Sequence, residues 1–271
     1  MDRLELIMYN VGHGLAISLI EYPEKYVTQI DLGSGDFSPL QYLSDTRRLR
    51  TDWLYITHPH ADHLSDIQKA QIHYPNNIQF IDYDWDDVER REKPEQRWIL
   101  HEFYKLARLT SRGDYGGKAD LKYYYWGPEK AKRMFGESNY INNSSLFIIY
   151  TWGEFKISIC GDLETEALEQ LISDLKVKND AKNSDIPVAS HHGHLKGYTS
   201  KWPLILGKPY FTLISVQSRD SYVANGYSSP DFARGILVGG TRRYRFTTRD
   251  GNIVVGMWYE DSKPRWSIVN E

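Results

Sequence analysis

Apolar and polar residues alternate over residues 4–11, 16–20 and 26–31, which predicts three strands at the start of the chain. The second and third are joined by the turn-forming run Tyr22-Pro23-Glu24-Lys25. Residues 38–45 read as a short helix, 53–57 as a buried strand, 64–70 as a helix and 78–81 as a further strand. Residues 82–93 are strongly charged and lead into a helix from about 94 to 109, and the glycines within 111–120 predict a loop. We read 82–120 as an insertion lying over a sheet edge or the mouth of a cleft. Beyond it, 121–126, 145–150 and 155–160 are strand-like, the last two joined at Trp152-Gly153-Glu154. Residues 165–175 form an amphipathic helical pattern, 186–189 and 210–216 read as strands and 230–238 as a helix. Residues 244–247 and 253–257 read as a closing hairpin about Asp250-Gly251. No repeat, low-complexity tract or compositional break divides the 271 residues, so the expectation is one domain, 1–271. Strands, helices, strands and helices again predict an α/β fold with two sheets packed face to face and helices outside.

Composition narrows the function more than the fold. A net charge of -3 argues against binding polyanions through the overall field, although basic clusters at Arg47-Arg48-Arg50 and Arg242-Arg243-Arg245-Arg249 offer local contacts to phosphates. Such clusters are more often solvated faces. Aromatic residues make up 14% of the chain, and Trp85 and residues 123–126 offer stacking surfaces as well as core. A single cysteine, Cys160, excludes an internal disulfide framework and a cysteine-rich zinc site, so any metal must be held by histidines and carboxylates. It follows an apolar run and reads as a buried core thiol. Residues 1–20 carry Asp2 and Glu5 and interrupt their apolar run at Asn10, Gly12 and His13, unlike a signal peptide. No stretch is long and apolar enough to cross a bilayer, and the chain reads as cytoplasmic, without membrane insertion.

The chemistry concentrates in Thr57-His58-Pro59-His60-Ala61-Asp62-His63, three imidazoles and a carboxylate directly after a buried strand. In an extended turn His58 and His60 project to the same side, while Asp62 and His63 begin a helix and face a neighbouring point. One loop can thus serve two adjacent metal centres, with nitrogen and oxygen donors that suit zinc, iron, manganese or nickel. The best bridging carboxylate is Asp162, which leaves an apolar strand after Gly161; the competing reading is a helix cap for the helix at 165. Ser190-His191-His192-Gly193-His194 supplies a further imidazole after another short strand. We take His191 as the ligand and His192 or His194 as supporting or substrate-facing groups. His13, within Asn10-Val11-Gly12-His13-Gly14, is either a site residue or a plain turn residue.

The His58-to-His63 run resembles the HxHxDH signature of the metallo-β-lactamase fold. The wider pattern is similar to the soluble hydrolase domain of ComEC-like competence proteins, through Asn142-Asn143-Ser144-Ser145-Leu146, Gly161-Asp162, His191-His192-Gly193 and the stretch from Pro230 through Thr247 to Asp250-Gly251. This resemblance spans nearly the whole chain apart from 82–120. It implies an αββα sandwich of two mixed β-sheets flanked by helices, with a dinuclear site at one edge. His58 and His60 would hold the first metal, Asp62, His63 and His191 the second, with Asp162 bridging. Asp31 and Gly33 match an Asp-x-Gly that supports the metal loop. Two departures stand out. The usual third histidine of the first metal has no counterpart, since His73 and His101 lie in other contexts. Ser228-Ser229 replaces a histidine usually found just before the proline.

Two divalent ions, zinc or manganese, would activate water at neutral pH and offset charge on a phosphoryl group, so the expected nucleophile is water rather than a side chain. Asp62 would orient that water, with His192 and Ser229 as further catalytic candidates, Ser229 donating to a substrate oxygen. The leading expectation is a metal-dependent phosphodiesterase or nuclease acting on nucleic acid or nucleotides. It would work as a stand-alone enzyme or with a protein partner in a larger system. The competing expectations are a hydrolase of another ester or thioester bond, and a metal-stabilised binding or signalling module with little catalysis.

Overall fold

The computed structural model describes residues 2–73, 75–110, 114–217 and 221–271, and its strands fall into two large mixed sheets and one small hairpin sheet. The backbone divides into two compact units, Met1–Lys118 with Thr248–Glu271, and Ala119–Thr247. Each carries one of the large sheets. The α/β class, with two mixed sheets flanked by helices, is as expected.

The first unit contains β1 (Arg3–Met8), β2 (Ile17–Tyr22), β3 (Tyr26–Ile30), α1 (Pro39–Asp45), β4 (Trp53–Tyr55), α2 (Ile67–Ile72), β5 (Asn77–Gln79), α3 (Trp85–Arg91) and α4 (Arg97–Leu109). The second runs through β6 (Asp120–Tyr124), α5 (Pro128–Phe135), α6 (Tyr140–Asn143), β7 (Phe147–Trp152), β8 (Phe155–Ile159), α7 (Thr165–Ser173), α8 (Leu175–Ala181), β9 (Ile186–Val188), α9 (Trp202–Ile205), β10 (Thr212–Ile214), β11 (Ile236–Val238), β12 (Thr241–Arg243) and β13 (Arg245–Thr247). β14 (Ile253–Glu260) and β15 (Lys263–Asn270) return to the first unit.

The seven-stranded sheet of the first unit has the order β15-β14-β1-β2-β3-β4-β5, antiparallel from β15 to β3 and parallel from β3 to β5. Its central strands are buried on both faces, so the alternation that suggests a wet face conceals buried polar groups. They are paired. Tyr9 donates to Ser18 Oγ (2.8 Å), Ser18 donates to Gln29 Oε1 (2.6 Å), and Gln29 Nε2 donates to the carbonyl of Asp31 (2.8 Å). Ser18 and Gln29 are direct register partners across β2 and β3. Buried Glu5 takes an ion pair from Arg47, which removes that arginine from the predicted phosphate-contacting cluster.

The predicted helix over 38–45 forms as α1, with Ser38 as its cap accepting from Gln41 N. In the segment read as an insertion, α4 packs against α2 and the 61–63 turn. Trp85 is half-buried, with its ring packed among Phe80, Phe103 and Tyr104. Of the predicted loop over 111–120, residues 111–113 lie outside the described residues.

The second unit has the sheet order β13-β10-β9-β8-β7-β6, parallel from β13 to β8 and antiparallel from β8 to β6. Leu168, Leu171 and Ile172 of α7, with Val177, Ala181 and Trp202, pack on Phe147, Ile149, Ile214 and Val216. Cys160 is buried in this cluster, where desolvation pushes its thiol pKa up, as expected of a core thiol.

Two sequence expectations fail in this half. Residues 230–238 are not a helix: the chain turns, and β11 pairs antiparallel with β12 about Gly239-Gly240. Both glycines have positive φ (56° and 79°), the conformation that a two-residue hairpin turn requires and that outweighs the helix-like spacing before it. The predicted hairpin about Asp250-Gly251 is also absent. β13 pairs parallel with β10 in one unit, and β14 pairs antiparallel with β1 and β15 in the other.

Candidate functional site

The first unit places His58, His60, Asp62 and His63 on the segment that leaves β4, with Ala61–His63 forming one 3-10 turn. Asp31, at the end of β3 with φ 55°, is fully buried beneath them. Its carboxylate accepts from Thr57 N (2.7 Å), Thr57 Oγ1 (2.7 Å) and His63 Nδ1 (2.7 Å). Burial pushes the Asp31 carboxyl above the usual carboxylate range, and the charge and hydrogen bond of His63 and the two donors of Thr57 oppose that rise. With its own proton given to Asp31, the Thr57 hydroxyl accepts from His58 Nδ1 (3.2 Å). Both rings are therefore held as Nδ1–H tautomers, with the lone pair on Nε2, as a metal ligand requires.

His58 Nε2 and His60 Nδ1 lie 3.1 Å apart. Two nitrogens bound to one zinc at about 2.0–2.1 Å with a near-tetrahedral angle would be about 3.3–3.4 Å apart, so the pair fits one edge of a coordination shape. His63 Nε2 lies 3.9 Å from Asp62 Oδ2. The turn is tied from two sides: Leu32 N donates to the His63 carbonyl (2.7 Å), and Ala61 N donates to Glu92 Oε2 (3.2 Å) from the charged segment after α3. Glu92 has no local sequence signal, because its partner is a backbone amide 31 residues away.

The second unit holds Asp162, His191 and His192. The cap position of α7 is Glu164, so Asp162 does not serve as the helix cap that competed with its ligand reading. Instead Asp162 N donates to Ser145 Oγ (3.1 Å), and the carboxylate faces two imidazoles, with His192 Nε2 3.6 Å from Oδ1 and His191 Nε2 3.9 Å from Oδ2. Asn143 Oδ1 accepts from Glu164 N (2.9 Å), which gives the Asn142-Asn143 pattern a role in shaping the segment after Asp162. His191 and His192 both adopt left-handed backbone (φ 51° and 52°), and His191 N donates to the Gly161 carbonyl (3.0 Å). Burial lowers the pKa of His191 and favours its neutral ring, against the charge of Asp162, and its Nδ1 is buried without a hydrogen-bond partner among the described residues. The other ring nitrogen, Nε2, is the one near the Asp162 carboxylate, and a neutral imidazole nitrogen near a carboxylate suits a cation. His194 is used locally, its Nδ1 accepting from Lys196 N (3.1 Å). Ser229 Oγ accepts from Asp231 N (3.0 Å) in a turn.

The basic clusters are partly consumed. Arg242 donates to the carbonyls of Arg234 and Gly235, and Arg245 reaches the carbonyl of Ala224, while Arg48, Arg50 and Arg243 are exposed. Tyr123 and Tyr125 are exposed, whereas Trp126 donates to the carbonyl of Ala167.

No family model and no curated protein sequence matches the chain. Among solved structures, it is similar to the metallo-β-lactamase-fold protein YhfI from Bacillus subtilis, with 12% identity over 79% of this chain and 85% of that one, at a TM-score of 0.46. It is also similar to a diphosphatase of the PhnP family, with 11% identity over 96% and 98% of the two chains and a TM-score of 0.47. Zn²⁺-bound PqqB from Methylobacterium extorquens matches at 7% identity over 68% and 71%, with a TM-score of 0.39. Among the described residues, no helix is long and apolar enough to cross a membrane.

Proposed function

We propose that the chain is a metal-dependent hydrolase of the metallo-β-lactamase type that cleaves phosphodiester bonds in nucleic acid or nucleotides. His58, His60, Asp62, His63, Asp162 and His191 are the ligands in this reading, to two divalent ions, zinc or manganese. The observation that carries it is the buried Asp31-Thr57 pair, which orients His58 and His63 with both Nε2 lone pairs outward beside His60 and Asp62. Burying a carboxylate at that depth is costly, and orienting two imidazoles as ligands gives the arrangement a use.

When bound, such ions supply Lewis-acid stabilisation of charge on a phosphoryl group and lower the pKa of water towards ~7. The residues do the rest. Asp62, partly exposed, accepts from the attacking water and sets its direction. His192, whose Nε2 faces Asp162, is held for a contact to the reacting group. Ser229, whose oxygen accepts from Asp231, retains its proton for a substrate oxygen. The exposed Arg48, Arg50 and Arg243 and the exposed Tyr123 and Tyr125 are the groups available to phosphates and bases. The ComEC-like motifs favour a nucleic-acid substrate, and the reading places the enzyme in the cytoplasm.

The test begins with metal content of the purified protein. Labelled single-stranded DNA, double-stranded DNA and cyclic dinucleotides are then incubated with Mn²⁺ or Zn²⁺ and with wild type or Asp62→Ala. The expected outcome is metal-dependent cleavage that falls by at least about a hundredfold in the variant, as for removal of a group acting directly on the reacting atoms. Near-stoichiometric metal with no cleavage of any phosphodiester would leave a binding module in its place, and no bound metal would end the reading altogether.

A further inference from the structure

The β11-β12 hairpin of the second unit carries charge that its surroundings do not compensate. Ile236 pairs with Arg243, Leu237 with Arg242 and Val238 with Thr241, so the two arginines stand on opposite faces of a two-stranded ribbon. Arg234 lies just before the hairpin, and Lys208 just before the Pro209-Tyr210 step that pairs with it. All four cations are exposed. Elsewhere, arginines and lysines sit against carboxylates, as Arg47 does on Glu5, Lys122 on Asp180 and Lys201 on Glu169. Among the described residues, none of Lys208, Arg234, Arg242 and Arg243 has a carboxylate within ion-pair distance. The acidic neighbours are Asp231, exposed in the preceding turn, and Asp185, whose carboxylate accepts from Lys156 N and feels the charge of Arg234.

Backbone bonds gather these cations onto one surface. Arg234 N donates to the Pro209 carbonyl (2.8 Å), and Gly235 N to the Tyr210 carbonyl (2.9 Å). Lys208 Nζ donates to the Pro230 carbonyl (2.9 Å), and Arg242 Nη1 to the carbonyls of Arg234 (3.0 Å) and Gly235 (3.1 Å). Gly235 makes that crossing possible, since a Cβ there would stand 2.7 Å from both Arg242 Cγ and the Tyr244 ring. The Arg234 guanidinium lies over the Tyr210 ring, 5.0 Å from its centroid. A neutral carbonyl or a ring fixes the direction of a cation without cancelling its charge, which stays available to an anion from outside.

The anion that fits is a phosphodiester strand. A lone phosphate would need donors converging on one point, whereas these charges spread along and around a ribbon. A strand repeats its charge at each nucleotide, and a guanidinium stacked on a tyrosine offers its flat outer side to a base. An anionic membrane would instead reward apolar insertion, and Leu237, 67% exposed, is the hairpin's single exposed large apolar side chain. We propose that the β11-β12 hairpin, with Lys208 and Arg234 at its base, is a docking surface for the backbone of a nucleic-acid strand. This deepens the proposed function and rests on its choice of nucleic acid: the substrate becomes a polymer held by contacts apart from the ligand residues.

The test is equilibrium binding of a short fluorescein-labelled single-stranded DNA to the full chain in EDTA, followed by anisotropy over a range of salt concentrations. The main variant is Arg234→Gln/Arg243→Gln, because neither guanidinium holds the hairpin backbone by a hydrogen bond among the described residues. Arg133→Gln, an exposed arginine of α5, controls for loss of charge elsewhere in the same unit. The double variant should bind at least about tenfold more weakly at low salt. Its slope of log affinity against log salt should fall by about 0.7 for each cation removed, with Arg133→Gln matching wild type. A double variant with the affinity and slope of wild type would overturn the assignment. So would a wild type that binds phosphatidylserine vesicles through these arginines and no DNA, which would make the hairpin a membrane contact. A wild type that cleaves cyclic dinucleotides yet binds no strand would overturn the docking surface and leave the hydrolase reading standing. Strand binding that depends on these arginines, without cleavage of any phosphodiester, would support the surface and remove the hydrolase.

Discussion

The two units hold their candidate ligands by different means. In the first, the donors are fixed by side chains: Asp31 takes three hydrogen bonds, Thr57 passes one on, and the imidazoles of His58 and His63 are locked in tautomer and direction. In the second, the fixing is done by backbone: His191 and His192 are held at positive φ, His191 N is tied to Gly161, and one buried ring nitrogen has no partner among the described residues. The first arrangement is stable in the absence of a cation because its polar groups satisfy one another. The second carries an unsatisfied group, so it gains more from an ion than it contributes to the fold.

That contrast can be broken by substitution in the metal-free protein. His63→Ala should cost about 3 kcal/mol in chemical denaturation, because it opens a cavity and leaves the buried Asp31 carboxylate without its imidazole. A cost near zero would mean that the first half is no better organised than the second. The next effect is a pH dependence that Asp66 gives the first unit. Asp66 accepts from Leu40 N and Ser38 Oγ, yet desolvation raises its pKa to about 6, with those hydrogen bonds opposing the shift. A folded-state pKa above the unfolded one contributes stability that is complete below about pH 4 and lost as pH rises through 6. Relative to Asp66→Asn, wild type should therefore lose on the order of 2–3 kcal/mol of stability between pH 4 and pH 7. Parallel stability curves for the two proteins would refute this. The smallest effect is expected at His191. His191→Ala should change metal-free stability by no more than about 0.5 kcal/mol, since its Nδ1 makes no hydrogen bond among the described residues and its Nε2 stands 3.9 Å from Asp162, beyond hydrogen-bond distance. A cost like that of His63→Ala would erase the distinction between the units.

Much of this was legible in the sequence where the information is local. The HxHxDH run, the Asp-x-Gly at Asp31, the Ser38 cap and the Trp152-Gly153-Glu154 hairpin each depend on residues close together in the chain, and each takes its place in the structure. Partner choice is not local. The strand read over residues 244–247 forms as β13, but its pairing with β10 rather than β14 depends on residues more than 30 positions away. β15 follows a turn with no glycine to mark it, because Asp261-Ser262 reaches positive φ without one. His13 was visible as a residue in a glycine turn, but its distance to Asp62 is set by tertiary packing at Gly14. The helix expected over 230–238 failed for the opposite reason, a local spacing overruled by the Gly239-Gly240 turn that follows.

The chain of donors from Tyr9 through Ser18 and Gln29 to the Asp31 carbonyl works as an alignment key for the first sheet. A slip of one residue between β2 and β3 would turn Ser18 and Gln29 to opposite faces and leave both buried and unpaired. The same slip would rotate Asp31 away from His63. Correct strand pairing and a correctly built ligand loop are therefore a single event in this protein, and a change at Ser18, in the middle of a strand, is also a change to the chemistry of His63.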